Sequence, residues 1–145
     1  MRSDARSDEP LYSIGTAARI LDVSVHTLRM YEREGLIIPF KKESHQRLFS
    51  DADIDRLRCI RQAITEERIG IEGIKHMQSL IPCWKLRPCS DDDRRVCPAY
   101  NGFQGPCWDV LHADTVCAGR DCRNCHVYKE FFTCTSIKEK LKELV

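Results

Sequence analysis

The chain has 145 residues, with 23 lysines and arginines against 22 aspartates and glutamates and a formal net charge of +1. Near-neutrality excludes binding to nucleic acid or a membrane surface by bulk charge, so any DNA affinity has to come from placement and dimerisation. The length fits one domain or two small ones, and no apolar run approaches the roughly 18 residues that a membrane span needs.

Residues 1–10, MRSDARSDEP, carry both signs of charge and no hydrophobic stretch. They read as a flexible arm and not as a signal peptide, which makes the chain cytoplasmic, with no membrane partner. Ser13 can cap a first helix with Ile14, Ala17, Ala18 and Leu21 on one face. Asp22-Val23-Ser24 is a tight turn, and Ser24 can cap a second helix over 25–34, stopped by Gly35. Two short helices joined in this way predict a helix-turn-helix.

The segment from Leu36 to Phe49 is β-compatible at its ends, Leu36 to Ile38 and Leu48-Phe49, with a basic middle, and predicts a two-stranded wing. Ser50 to Asp53 caps a third helix with Ile54, Leu57, Ile60 and Ile64 inward. A fourth, shorter helix follows the Gly70 to Gly73 turn with Ile74, Met77 and Ile81. Pro82 marks a change of kind: prolines, glycines, aromatics and eight of the nine cysteines lie beyond it. A capping box at Ser136 to Glu139 opens a short terminal helix.

A recognition helix must bury one face and show base- and phosphate-reaching side chains on the other. On the second helix Leu28 can face inward, while His26, Thr27, Arg29 and Tyr31 can supply hydrogen bonds outward. Lys41 and Lys42 in the wing loop are candidates for phosphate contact by charge and exposure.

The stretches YSIGTAARILDVSVHTLRMYEREGLI, QRLFSDADIDRLRCIRQ and GIEGIKHM, in this order and spacing, closely resemble the MerR family of transcription regulators across residues 12 to 81. The last stretch is most similar to its HspR-like branch. The resemblance implies a homodimer on a double-stranded DNA operator, with Thr27, Arg29 and Tyr31 on the recognition helix and Arg47 on the wing. Many members remodel an overlong promoter spacer, which implies RNA polymerase as a further partner, whereas the HspR-like branch represses. Met30 and Phe49 replace an aromatic and a tyrosine usual in the family. Pro82 stands where many members continue into a long coiled-coil helix, so dimer contacts would fall to the cysteine module or the terminal helix.

The cysteines run Cys83-Trp84, Cys89, Cys97-Pro98-Ala99-Tyr100, Cys107-Trp108, Cys117, Cys122-x-x-Cys125 and Cys134. Apart from Cys134, this pattern resembles the two-CW domain of bacterial regulatory proteins, which implies a module boundary and no particular chemistry. Small Pro- and Gly-rich modules usually need a metal or disulfides to stay folded. Cys122-x-x-Cys125 has the bite of a tetrahedral metal site. Cys117-x₄-Cys122-x₂-Cys125, with Cys134 as fourth ligand, also matches a plant-type iron–sulfur spacing. All eight cysteines of the module are therefore candidate ligands for an iron–sulfur cluster or zinc; disulfides or a reversible dithiol switch remain as alternatives. His112 and His126 read as surface residues, Cys59 as an inert core thiol, Trp84, Trp108, Tyr100 and Tyr128 as core anchors, and Asp91 to Asp93 as a solvated loop. No catalytic constellation appears, so an enzyme is not expected.

The sequence thus predicts a mainly α chain, with a winged helix-turn-helix over 11–81 and an irregular cysteine-rich module with a terminal helix over 82–145. The expected function is sequence-specific transcriptional regulation, with the module as a metal- or redox-responsive sensor. The alternatives are a purely structural zinc module, or an electron-transfer or metal-carrying protein that docks through its N-terminal helices.

Overall fold

The computed structural model describes residues 8–87, 89–102, 105–109, 121–130 and 142. Cys117, Cys134, His112, residues 1–7 and most of the expected terminal helix lie outside these. Among the described residues no helix is long and apolar enough to cross a membrane.

Helix α1 (Ile14–Leu21) starts where the Ser13 hydroxyl accepts the Thr16 N–H at 3.2 Å. It ends at Asp22, a residue type that tolerates the left-handed φ of 55° found there. Helix α2 (Val25–Arg33) repeats the pattern with Ser24 accepting the Thr27 N–H at 3.0 Å. Its end is a Schellman turn. Leu36 N–H reaches the Tyr31 carbonyl and Gly35 N–H the Glu32 carbonyl, both at 3.0 Å, with Gly35 at φ +78°. Glycine takes that φ without the Cβ penalty of other residues.

Three short strands, β1 (Tyr12–Ser13), β2 (Phe40–Lys41) and β3 (Arg47–Phe49), pair antiparallel in the order β1-β3-β2, with Tyr12 opposite Phe49 and Phe40 opposite Leu48. The sequence did not announce β1, which is only two residues long. Helix α3 (Asp51–Thr65) opens on a complete Ser50/Asp53 capping box, and α4 (Ile71–Ser79) opens after Gly70. Gly73 therefore lies inside α4, and Ile81 lies beyond its end. The core joins Ala17, Leu28, Tyr31, Leu36, Phe49, Ile54, Leu57, Ile60 and Ile74.

The expected strand at Leu36 to Ile38 does not form. Leu36 and Ile37 are buried in the core, but the backbone here is an irregular connector whose polar groups pair with side chains. Trp108 Nε1 donates to the Gly35 carbonyl at 2.6 Å and Arg56 Nε to the Leu36 carbonyl at 3.1 Å. Ile38 N–H donates to the Tyr128 hydroxyl at 2.8 Å, and Arg123 donates to the Ile38 carbonyl at 2.5 Å. A buried backbone needs partners of some kind, and here side chains supply what a sheet would have supplied.

The second half is built of short pieces: α5 (Cys83–Leu86), α6 (Asp91–Val96), tight turns at Cys107–Asp109 and Cys122–Asn124, and α7 (His126–Glu130). The expected loop at Asp91 to Asp93 is instead the first turn of α6, with Ser90 and Asp93 forming a capping box. Carboxylates in that turn also suit the helix dipole. A second small core gathers Ile81 and Val127 with Cys83, Leu86, Cys107, Trp108 and Cys125. Tyr128 is buried and stands edge-on to Trp108 at 5.1 Å, whereas Tyr100 is 44% exposed and only flanks Trp84. The expectation of Tyr100 as a core anchor is corrected accordingly.

Candidate nucleic-acid interface

Helix α2 turns Leu28 and Tyr31 inward and His26, Arg29 and Arg33 outward. The outward three are spaced by three and four residues, so they form one stripe. Tyr31 is 1% exposed, and its hydroxyl accepts from Arg61 at 3.2 Å. This corrects its assignment as an outward DNA contact: three residues after Leu28, it belongs to the buried face. Thr27 is half-buried, and its hydroxyl lies 2.9 Å from that of Ser24 within the cap. Arg33, not singled out from the sequence, completes this exposed stripe at helical spacing from His26 and Arg29.

Beside this stripe the wing turns at residues 42–45. His45 N–H reaches the Lys42 carbonyl at 2.8 Å, Lys42 N–H reaches the Gln46 carbonyl at 2.9 Å, and His45 takes φ 68°. Lys41, Lys42 and His45 are exposed. Arg47 behaves differently. Its Nε donates to a Glu32 carboxylate oxygen, while Lys41 Nζ lies 3.3 Å from the other. Glu32, on α2, therefore ties that helix and the wing into one unit. Arg47 has its other guanidinium N–H groups to offer a phosphate.

Behind the interface, the cysteine module grips the connector between these two elements. Arg56 is 2% exposed; besides the Leu36 carbonyl it donates to the Tyr128 carbonyl at 2.7 Å, and it lies over the Tyr128 and Trp108 rings at 3.8 and 5.2 Å. Burial pulls its pKa down, against the opposing effects of Tyr128 and Asp53. Burial pushes the Tyr128 phenol up, which keeps it a neutral acceptor for Ile38. Arg123 pairs with both oxygens of Asp53 at 3.0 and 2.8 Å while also holding Ile38. Asp109 packs on Gly35 so closely that an added Cβ would stand 2.9 Å from its carboxyl carbon.

Of the eight expected ligands, Cys83, Cys89, Cys97, Cys107, Cys122 and Cys125 are half-buried. Cys83 and Cys107 are hydrogen-bonded to one another. That bond pulls Cys83 down from its ordinary value near 9 to about 7, against burial. It pushes Cys107 up, with burial and nearby Cys83, Cys125 and Cys122 adding to the effect. Burial, then Cys125, pushes Cys122 up as well. Cys89 instead bonds Arg94. Among the described residues no group of three or more His, Cys, Asp or Glu is arranged to hold a metal ion. Cys59, expected as an inert core thiol, is half-buried on α3 and disulfide-bonded.

The profile of the MerR HTH family regulatory protein matches residues 12–80 and ends before the cysteine module. The chain is 37% identical over 73 residues to a Streptomyces coelicolor heat shock protein designated HspR, a match that covers 50% of this chain and 48% of that one. With the HTH-type transcriptional regulator MlrA of Escherichia coli it shares 46% over 70 residues, covering 48% of this chain and 28% of MlrA. With the HTH-type transcriptional regulator GlnR of Bacillus anthracis it shares 32% over 77 residues, covering 53% and 58%. The chain thus spans between 28% and 58% of the length of these relatives.

Proposed function

Because residues 12–80 are a MerR-family helix-turn-helix domain, we propose that the chain is a sequence-specific DNA-binding regulator of transcription that acts on a double-stranded operator as a homodimer. One observation carries the reading: His26, Arg29 and Arg33 form a solvent-facing stripe on α2 beside the exposed Lys41, Lys42 and His45 of the wing. A helix of this kind enters the major groove, while wing cations meet the flanking phosphates. The Glu32 tie fixes the distance between the two, as simultaneous contact requires. A two-fold dimer reads two half-sites, so its affinity depends on the geometry between subunits as well as on each reading head.

The test is a duplex enriched from random sequence against the full chain, followed by titration at fixed salt. An Arg29→Ala, Arg47→Ala double variant is expected to lose most of its preference for that duplex. Unchanged binding by the double variant would sink the proposal.

A further inference from the structure

We propose that Arg123, carried by the cysteine module, is a positioning residue for the wing: it holds Ile38 against the start of α3 and so sets where Lys42 and His45 meet DNA phosphates. The effect on DNA rests on the function proposed above; the placement of the wing does not.

The wing cannot place itself. Strand β2 lies at the sheet edge and pairs with β3 at two positions, Phe40 opposite Leu48 and Lys41 opposite Arg47. So short a ribbon is marginal without outside support. One support is the Glu32 carboxylate, which meets Lys41 and Arg47 from α2. The other stands where the chain enters β2, and it comes from the module. Ile38 N–H donates to the Tyr128 hydroxyl at 2.8 Å, and the Ile38 carbonyl accepts from Arg123 at 2.5 Å. Pro39 follows with its φ locked by the ring, so a displacement at Ile38 is passed on to β2 and not absorbed.

Arg123 has a fixed base to push from. Its Nη1 meets Asp53 Oδ1 at 3.0 Å and its Nη2 meets Oδ2 at 2.8 Å, while Nη1 also reaches the Ile38 carbonyl. The two side chains are only 12% and 6% exposed. Asp53 is itself immobilised, because Oδ2 accepts the Ser50 N–H at 2.8 Å in the α3 capping box. A flat guanidinium with its donors in fixed directions carries that position over to Ile38, which a single ammonium cannot do. Burying such a pair adds little net stability, since desolvation offsets the attraction, and its best-attested use is to fix register. Arg123 and Ile38 also line an open cleft together with Glu32 and Lys41, so on this side the module and the wing are joined by hydrogen bonds and not by close packing.

The test compares the full chain with Arg123→Gln and Arg123→Lys. Amide hydrogen exchange is read first, without DNA. The Lys42 and His45 amides bond the Gln46 and Lys42 carbonyls; in Arg123→Gln they should exchange about tenfold faster, as a locally loosened segment does. The Leu28 and Glu34 amides of α2 should keep their rates. On the enriched duplex, Arg123→Gln should bind about five- to tenfold more weakly, the low end for coupling between two sites. Its salt dependence should flatten by about one unit of slope for each phosphate contact the wing gives up. Two double variants separate placement from general loosening. In the Arg123→Gln background Lys42→Ala should have almost no further effect, whereas Arg29→Ala should still relax preference at its base pair. Arg123→Lys keeps a charge for Asp53 and should show the same pattern in weaker form with its helical circular dichroism intact. Wing amides that exchange at the wild-type rate overturn the proposal. So does a Lys42→Ala effect of full size in the variant, or loss of the Arg29 and Lys42 contributions together. Unfolding of both variants overturns it as well, because a positioning role leaves the fold standing. A wild-type chain that enriches no duplex refutes the proposed function, and the exchange rates still decide the placement of the wing.

Discussion

Arg56 was not legible as a functional position, because a charged residue between the inward Ile54 and Leu57 reads as surface. It is instead the side chain that both halves share. Arg56→Ala would leave the Leu36 and Tyr128 carbonyls short of donors in a buried setting, at about 1–3 kcal/mol for each unsatisfied group. We expect a loss of about 2–6 kcal/mol in urea unfolding, with the slope unchanged. Arg56→Lys should recover less than half, since an ammonium cannot span two carbonyls while lying flat over two rings. Cys83 offers a second check at this scale. Its alkylation by iodoacetamide should reach half its maximal rate near pH 7, and Cys107 should stay slow well above pH 9. Between about pH 7 and 9 the unfolded chain holds the Cys83 proton that the folded chain has lost, so this group's stabilising contribution grows as pH rises through that window and is lost as pH falls below it.

Helix α2 and the wing act as a unit, and substitutions should sort by what they reach. Arg29→Ala is expected to cost about 1–3 kcal/mol on the preferred duplex if it meets a base edge, and to relax preference at one base pair. Lys42→Ala should weaken all sequences alike and flatten the salt dependence, as phosphate contacts do. Gly35→Ala should destabilise by about 1–2 kcal/mol through the positive φ alone. Asp109→Ala in the same chain should relieve the steric part and leave the backbone part, so the two substitutions should be non-additive in a double-mutant cycle. The caps Ser13, Ser24 and Ser50, and the glycine stop at Gly35, were readable from sequence because each is a local device closed within a few residues. Tyr31 was misplaced although Leu28, three residues earlier, already fixed the inward face. Leu36 to Ile38 could not have been read correctly: its apolar, β-branched character suits a strand, and what cancels the strand is Arg56, Trp108, Arg123 and Tyr128 arriving from up to 90 residues away.

At the scale of the whole chain, a fragment ending at Pro82 should keep α1 to α4, since their apolar faces close on one another within it. It should also melt well below the full chain. Cutting there removes the hydrogen bonds that Trp108, Arg123 and Tyr128 make to Gly35, Ile38 and Arg56, at about 1 kcal/mol each from a total of ordinary size. Circular dichroism of the two proteins on heating checks both halves of this expectation. The same wiring bears on how freely such a reading head can be exchanged. A chimera that joins residues 12–80 to a foreign effector module would carry a connector whose carbonyls and amides expect an indole, a phenol and a guanidinium at fixed places. Without these, the groups would turn to water or to a neighbouring copy. Transplantation should therefore succeed only when the recipient brings an equivalent set of donors, or when the connector is redesigned to pair with itself.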